Sequence, residues 1–267
     1  FASETCALDA VDAEYIRDIK PGEIVCVDKD GVRSDERLCT GKEKICIFEY
    51  IYFARPDSMI DGVSVYDARR RAGRFLAKEH PVEADIVIPV PDSGIDAAIG
   101  YAEESGIPYG VGLIKNRYIG RTFIQPTQQQ RVRAVRIKLN ALKETVRDKR
   151  VVMVDDSIVR GTTSQRIVQM IRDAGAKEVH MRISSPPFMY PCYFGTDIPD
   201  QDSLVAVHNS VDDMRRMMDA DSLGFLSIES LAEIMGSEKR DHCNACFTGS
   251  YPMEVPFNSK GGQRINE

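Results

Sequence analysis

The sequence predicts an α/β protein with a mostly parallel sheet flanked by helices. Between residues 66 and 184, short apolar runs alternate with longer segments that have helical spacing. The apolar runs are too continuous for strands with one exposed face, so we expect them to be buried. Alternation of strands and helices favours right-handed crossovers and parallel neighbours.

The first half of this region gives the opening elements of the sheet. Residues 66–80 predict a lead-in helix, and ADIVIPV (84–90) predicts a buried strand. The helix that follows begins near Ile95, keeps small and apolar residues at helical spacing and ends at Gly106, since glycine is a common helix terminator. YGVGLI (109–114) predicts a second strand.

The second half repeats the pattern. KRVVMV (149–154) predicts a third strand and EVHMRIS (178–184) a further one, with a helix over 164–175 between them. That helix places Ile167, Met170 and Ile171 on one face.

Two stretches fall outside the alternation. Residues 1–45 predict a strand at 22–27 and a hairpin turn at Asp28–Gly31, without enough apolar residues for a core of their own. Residues 186–267 predict loops with short helices near 211–219 and 227–235, and a mobile tail.

Composition restricts the function classes. The chain has 267 residues, 43% of them hydrophobic, and a net charge of −6, which disfavours a nucleic-acid-binding protein. No apolar run approaches the roughly 20 residues that span a bilayer, and FASETCALDA does not resemble a secretory signal. Seven scattered cysteines do not suit a disulfide scaffold. We therefore expect a cytoplasmic protein without a membrane partner.

The segment VVMVDDSIVRGTT (151–163) carries the strongest functional signal. Asp155 and Asp156 end a strand, where open α/β sheets bind ligands. Gly161 permits a turn, and Thr162, Thr163 and Ser164 then open a helix whose N–H groups and hydroxyls suit an anion. The acids suit hydroxyls or a divalent cation, so the loop fits a ribose 5-phosphate. A plain helix cap is the alternative interpretation.

This loop resembles the phosphoribosylpyrophosphate (PRPP) signature of type I phosphoribosyltransferases. The resemblance implies that the acids bind the ribose hydroxyls, often through Mg²⁺. It also implies that the 5-phosphate is held by the loop, which comprises Ser157, Arg160, Gly161, Thr162, Thr163 and Ser164.

A second loop agrees with the first. VPDSG (90–94) also joins a strand to a helix N-terminus and can therefore face an anion. By itself it would be interpreted as a Pro-Asp turn with a helix cap. Beside the acidic loop, it is similar to the pyrophosphate loop of the same fold, formed by Pro91, Asp92, Ser93 and Gly94.

Three further stretches resemble the glutamine PRPP amidotransferases, also called amidophosphoribosyltransferases: CIFEYIYFARPDS (46–58), KNRYIGRTFIQPTQQQR (115–131) and the downstream cysteines. The resemblance covers about residues 1–255. It implies synthesis of 5-phosphoribosylamine from PRPP, glutamine and water, the first committed step of purine synthesis. It also implies Mg²⁺ at Ser93, Asp155 and Asp156, purine nucleotide inhibitors (AMP, GMP and ADP), and a homo-oligomer, dimer or tetramer.

The segment 115–131 has three cations before Gln128 and little apolar periodicity, so its composition predicts a polar loop that can order over an anion, or a solvated basic loop. The resemblance implies a flap that closes over PRPP and excludes water. In that case Lys115, Arg117 and, past the flap, Lys138 serve the pyrophosphate. Tyr118 and Ile124 lie near the path of ammonia.

The cysteines suggest a metal centre. Cys243 and Cys246 form a C-x₂-C pair, which suits zinc or an iron–sulfur cluster. With Cys46 and Cys192 they match the cluster-bearing members of the family, and the resemblance implies a structural [4Fe–4S] cluster. Zinc and four ordinary buried thiols are the alternatives.

The resemblance also implies a domain plan. Residues 1–45 resemble the last part of an N-terminal-nucleophile glutaminase domain, 46–255 form the phosphoribosyltransferase domain and 256–267 a tail. Cys6 does not match the glutaminase nucleophile, so we expect a truncated or partial enzyme. A salvage base phosphoribosyltransferase and a PRPP-sensing regulator are the rival functions.

Overall fold

The structure is a computed structural model that describes residues 1–41, 43–116, 139–198, 200–236 and 241–255. Its strands are β1 (Ile24–Asp28), β2 (Gly31–Asp35), β3 (Ile45–Cys46), β4 (Met59–Ile60), β5 (Val63–Ser64), β6 (Ile86–Pro89), β7 (Leu113–Lys115), β8 (Leu139–Ala141), β9 (Arg150–Asp155), β10 (Glu178–Ile183), β11 (Ser222–Phe225) and β12 (His242–Cys243).

Nine α-helices lie among these strands in the described residues. They are α1 (Thr5–Asp9), α2 (Val65–Glu79), α3 (Ile95–Ser105), α4 (Lys143–Val146), α5 (Thr162–Asp173), α6 (Val205–His208), α7 (Val211–Met218), α8 (Ile228–Glu233) and α9 (Ala245–Thr248). A π-helical turn spans Glu49–Phe53, and a 3₁₀ turn spans Gln201–Ser203. Of the described helices, none combines the length and apolar character that crossing a bilayer requires.

Four parallel strands form the central sheet in the order β11-β10-β9-β6. Side chains alternate across a strand, so β9 contributes to two cores. Val152 and Val154 pack with α2 and α3 on one face, whereas Val151 and Met153 pack with α5 on the other. The predicted parallel α/β arrangement is confirmed.

Most predicted elements are confirmed with ends that differ from the prediction by no more than two residues. They include α2, α3 and α5, the short helices α7 and α8, and the strands β1, β6, β9 and β10. The turn between β1 and β2 is confirmed as well, because Asp28 pairs with Gly31 in the hairpin register. Within residues 1–41 only Cys6 is buried, in agreement with a segment that has no core of its own.

The strand predicted at 109–114 is wrong for most of its length. The chain makes one parallel bridge there, between Val87 and Tyr109. Gly110 and Gly112 lie so close to the sheet that a Cβ would be 2.6 Å from the Ile86 side chain and 2.5 Å from the Ile88 side chain, respectively. Glycine in a strand often marks such a close backbone approach. The regular strand here is β7, which leaves the sheet and pairs antiparallel with β8.

Candidate active site

Two loops meet at the carboxyl end of the central sheet. β6 and β9 are parallel neighbours, so the segments that follow them leave the same edge. Asp155 ends β9 and Asp156 follows it, while Ser93 belongs to the loop after β6. The Ser93 Oγ donates a hydrogen bond of 2.6 Å to Asp156 Oδ1. The predicted acidic loop and pyrophosphate loop are therefore in direct contact.

The two acids lie in a buried environment. Each is 7% exposed. The Asp156 N–H donates to Asp155 Oδ1 at 2.9 Å, and the Ser157 hydroxyl donates to Asp156 Oδ2. Burial, and then the charge of Asp156, raise the pKa of Asp155 well above its usual range. These hydroxyl and amide donors only partly offset the repulsion, so the site favours a cation or additional hydroxyl groups.

The loop after the acids ends as a helix N-terminus. Gly161 has a φ of 78° and serves as the N-cap of α5, which begins at Thr162. A glycine N-cap offers no side chain to the first N–H groups of the helix, so they can bind an anion. Thr162 and Thr163 are exposed at this end, whereas Ser164 is buried. Arg160 is exposed just before the turn.

The pyrophosphate loop is fixed by close backbone packing. A Cβ on Gly94 would lie 2.3 Å from the Val154 carbonyl oxygen, so only glycine fits against the end of β9. The Pro91–Asp92 peptide bond is cis. The exposed carboxylate of Asp92 pairs with the Lys115 Nζ at the end of β7. Lys115 therefore lies beside the loop.

Four of the predicted site residues lie outside the described residues: Arg117, Tyr118, Ile124 and Lys138. The predicted flap is flanked by β7 and β8, which pair with Leu113 opposite Ala141 and Lys115 opposite Leu139. Lys115 and Leu139, which are described on either side of residues 117–138, are consequently side by side.

The four cysteines of the predicted metal centre come from distant parts of the chain. Cys46 on β3 pairs in register with Cys243 on β12. Burial raises the pKa of Cys46 to about 11, and the neighbouring Cys243 and Cys192 add to that rise. Burial also raises the pKa of Cys246, as do Cys46, Cys192 and Cys243. The four thiols thus lie within electrostatic range of one another.

Backbone donors are directed at one of these sulfurs. The N–H groups of Phe194 and Thr196 both donate to the Cys192 Sγ at 3.4 Å. Within the described ranges there is no group of three or more His, Cys, Asp or Glu side chains that could hold a metal ion.

The sequence interpretation missed a buried charged pair beside the site. Arg69 on α2 is 5% exposed and Asp96 on α3 is 6% exposed. A signal was present, because Arg69 falls on the helix face that carries Val65, Ala68 and Ala72. An arginine on an apolar face requires buried partners.

Comparison with known proteins places these features in a family. The family model of the phosphoribosyl transferase domain matches residues 64–184. An amidophosphoribosyltransferase of Archaeoglobus fulgidus is 57% identical over 257 residues, which are 95% of this chain and 56% of that protein. The corresponding protein of Bacillus subtilis is 54% identical over 258 residues, 95% of this chain and 54% of its own length.

A solved structure gives the same result. The glutamine PRPP amidotransferase from B. subtilis, complexed with ADP and GMP, superposes with a TM-score of 0.87 at 53% identity, over 97% of this chain and 57% of that one. Fold and site together define a type I phosphoribosyltransferase domain. The chain is similar to amidophosphoribosyltransferases over 95% of its own length, and it spans about half the length of the curated relatives it matches.

Proposed function

We propose that this chain performs phosphoribosyl transfer to ammonia, forming 5-phosphoribosylamine and pyrophosphate from PRPP. In a complete enzyme the ammonia would come from glutamine, and the reaction would commit the sugar to purine synthesis. One observation carries the proposal: the Ser93–Asp156 hydrogen bond joins the two loops that are predicted to bind anions, at one edge of the sheet. A ligand with a phosphate, a ribose diol and a pyrophosphate has groups for each part of that site.

The described residues suggest how PRPP would lie. Its 5-phosphate would bind the N-terminus of α5. The N-cap residue there is Gly161, which has no side chain that could accept hydrogen bonds from the first N–H groups of the helix. The ribose hydroxyls would meet Asp155 and Asp156. The pyrophosphate would lie at the loop containing Ser93, within reach of Lys115 once that amine leaves Asp92.

The donor set fits Mg²⁺. This hard cation prefers oxygen ligands, and proteins usually hold it through one or two carboxylates together with substrate phosphates. Asp155, Asp156 and Ser93 supply such oxygens, and the raised pKa of Asp155 shows that burial and the neighbouring charge of Asp156 disfavour its ionised form, which a bound cation would stabilise. When bound, the ion would stabilise negative charge on the departing pyrophosphate.

The chain itself would supply orientation and charge. The two loops would hold the sugar with its reacting carbon open to ammonia. Lys115 would stabilise the charge that develops on the pyrophosphate oxygens. Ammonia carries its own lone pair, so no strong general base is needed. The predicted flap, whose role would be to keep water from hydrolysing the activated sugar, lies outside the described residues after Asn116.

The resemblance to cluster-bearing amidophosphoribosyltransferases supports a structural [4Fe–4S] cluster held by Cys46, Cys192, Cys243 and Cys246, although these thiols, as the described residues place them, do not form a group that could hold a metal ion. All four are soft sulfur ligands in mutual electrostatic range, and Cys192 already accepts two N–H groups. The reaction transfers no electrons, so the cluster would contribute folding free energy rather than chemistry. Zinc is the alternative that an iron and sulfide assay would distinguish. A cytoplasmic, reducing setting stays a prediction and would keep these thiols available.

Purine nucleotides and self-association complete the proposal. A family member has been solved with ADP and GMP bound, and AMP shares their phosphate and ribose groups. A homo-oligomer, dimer or tetramer, stays a prediction. The domain plan, with residues 1–45 from a glutaminase domain, also stays a prediction.

The decisive experiment supplies purified protein with PRPP, Mg²⁺ and ammonium salts. We expect 5-phosphoribosylamine and pyrophosphate in equal amounts, formed faster at mildly alkaline pH because the NH₃ fraction rises. The variant with Asp155→Asn and Asp156→Asn should be inactive while remaining folded. Pyrophosphate release that requires a purine base instead of ammonia would identify a salvage enzyme. PRPP binding without turnover would favour a regulator.

A further inference from the structure

Arg69 is a buried arginine that bridges separate parts of the fold. Its Nε donates to the Tyr50 carbonyl oxygen at 2.9 Å, and an Nη donates to the Ala54 carbonyl oxygen at 2.7 Å. These two carbonyls belong to the π-helical turn at Glu49–Phe53 and to the residue that ends it. The planar guanidinium therefore holds the turn against α2 at two points.

The same guanidinium reaches the helix that follows the pyrophosphate loop. Its other Nη lies 3.7 Å from Asp96 Oδ2. This oxygen is buried and has no hydrogen-bond partner within the described parts of the chain. Asp96 belongs to the first turn of α3, two residues after Gly94. An unpaired buried carboxylate is costly, so Arg69 and Asp96 constrain where α3 begins.

Close packing transmits that constraint to the loop. Gly73, one turn after Arg69, would place a Cβ 1.9 Å from the Ala97 carbonyl oxygen, and Gly100 would place one 2.0 Å from the Arg70 carbonyl oxygen. The backbones of α2 and α3 are thus in direct contact. Where the loop joins α3, the N-cap residue Gly94 packs closely against the Val154 carbonyl oxygen. A shift of α3 would therefore move Ser93, which bonds Asp156.

Electrostatics link the same side chain to the acids. Burial lowers the pKa of Arg69, whereas the carboxylates of Asp96 and then Asp156 act to raise it. The positive charge of Arg69 therefore interacts with Asp156, at the proposed ribose and metal site, as well as with Asp96 on α3.

We propose that Arg69 is a positioning residue for PRPP binding: it fixes the pyrophosphate loop by tying the start of α3 to the turn at 49–54. This inference rests on the proposed function for its consequence in binding. Its structural part, the restraint on residues 90–98, does not depend on that function.

The test uses the full chain in three variants. The double variant Arg69→Met with Asp96→Asn removes both charges, so no unpaired ion is left buried, and such replacements are often tolerated. Arg69→Lys keeps the positive charge but loses the planar guanidinium that donates to two carbonyl oxygens at once. The matched control is Arg74→Met, because Arg74 also joins α2 to α3, through Glu103 at the far end of α3. Thermal unfolding verifies that each variant is folded.

Two readouts separate the inference from the proposed function. Amide hydrogen exchange in the ligand-free chain should be faster over residues 90–98 in Arg69→Lys and in the double variant, and unchanged in the control. Equilibrium binding of PRPP with Mg²⁺ should weaken about ten-fold in the same two variants, the scale typical of residues that orient site ligands. If the double variant does not fold, Arg69→Lys decides alone.

Unchanged exchange over 90–98 would overturn the inference, whatever happens to PRPP binding. Faster exchange with PRPP affinity equal to that of wild type would overturn it as well, and so would full rescue by lysine. If wild type and the Arg74→Met control both fail to bind PRPP, the proposed function is rejected, and the exchange rates still decide whether Arg69 restrains the loop.

Discussion

At the scale of single residues, the buried acidic pair lowers the stability of the folded protein. Asp155 and Asp156 are both buried and adjacent, and the pKa of Asp155 is raised. A carboxyl with a raised folded pKa gives up its proton more easily when unfolded. Stability therefore falls as pH rises from the ordinary range of aspartate, about 3.9, through the folded pKa.

Asp155→Asn should consequently raise the melting temperature of the ligand-free protein at neutral pH. Because the pKa of Asp155 is raised in the folded protein, the variant should also lose less stability as the pH rises above about 4, the ordinary pKa range of aspartate. Ammonia-dependent turnover should fall by about 100-fold or more, the scale for losing a directed charge at a reacting site. Melting curves across pH and initial rates measure both effects. Exposed Asp197→Asn is the control, and a destabilised Asp155→Asn protein would contradict the argument.

Gly94→Ala tests the backbone of the pyrophosphate loop. The added methyl group would lie 2.3 Å from the Val154 carbonyl oxygen and 2.9 Å from the Val90 carbonyl oxygen. Neither backbone atom can move cheaply, so the loop must move instead. A displacement near 1 Å can reduce turnover by about 100-fold. We expect a folded protein with weak PRPP binding, measured by calorimetry. Gly41→Ala, which meets nothing within 4 Å, should bind normally.

At the scale of elements, the sequence predicts what periodicity encodes. The apolar runs of β6, β9 and β10 and the apolar faces of α3 and α5 are local patterns, and the structure confirms them. The carboxyl ends of β6 and β9 then bring the two site loops together without further information. The strand predicted at 109–114 is wrong for most of its length. Gly110 and Gly112 pack closely against the side chains of Ile86 and Ile88, which leave no room for a Cβ at these two positions. Such a contact is not visible in local sequence.

The same limit explains Arg69. The sequence shows that Arg69 lies on an apolar helix face. Its partners are two backbone carbonyls in the turn at 49–54 and the Asp96 carboxylate, and these groups come together only in the folded structure. The cysteines show the opposite case, since C-x₂-C is a local signal that identifies half of a candidate centre. The partners Cys46 and Cys192 came from resemblance to a family, not from spacing.

Gly73→Ala tests the crossing of α2 and α3. Alanine favours a helix over glycine by about 1 kcal/mol, which by itself would stabilise the protein. Its methyl group, however, would lie 1.9 Å from the Ala97 carbonyl oxygen, so the helices must separate. Overpacking of this kind costs about 1–3 kcal/mol and should prevail. Urea unfolding should show a net loss of stability, and an increase would mean that the crossing is loose.

At the scale of the whole molecule, the cysteines join distant parts of the chain. Cys46 lies on β3 and Cys243 on β12, and these two strands pair directly although they are almost 200 residues apart in the chain. Cys246 lies in α9, the helix that follows β12. Cys243→Ser should remove bound iron and sulfide and lower the melting temperature, because ligation contributes to folding. Exposed Cys26→Ser should change neither. Stoichiometric zinc in anaerobically purified wild type would identify the alternative metal. A colourless, metal-free protein of equal stability would reject a metal centre.

The assembled site makes a final prediction about nucleotides. AMP, GMP and ADP carry a 5-phosphate and a ribose diol, which are the groups that the loop from Asp155 to Ser164 would bind in PRPP. A ligand that binds only the folded state stabilises it by RT ln(1 + [L]/Kd), about 2.7 kcal/mol at 100 times Kd. AMP should therefore raise the melting temperature and inhibit turnover competitively with PRPP. Adenosine, which lacks the phosphate, should do neither, and Asp155→Asn with Asp156→Asn should weaken the effect of AMP by removing the diol contacts. Nucleotide binding that persists unchanged at saturating PRPP would place the inhibitor outside these loops.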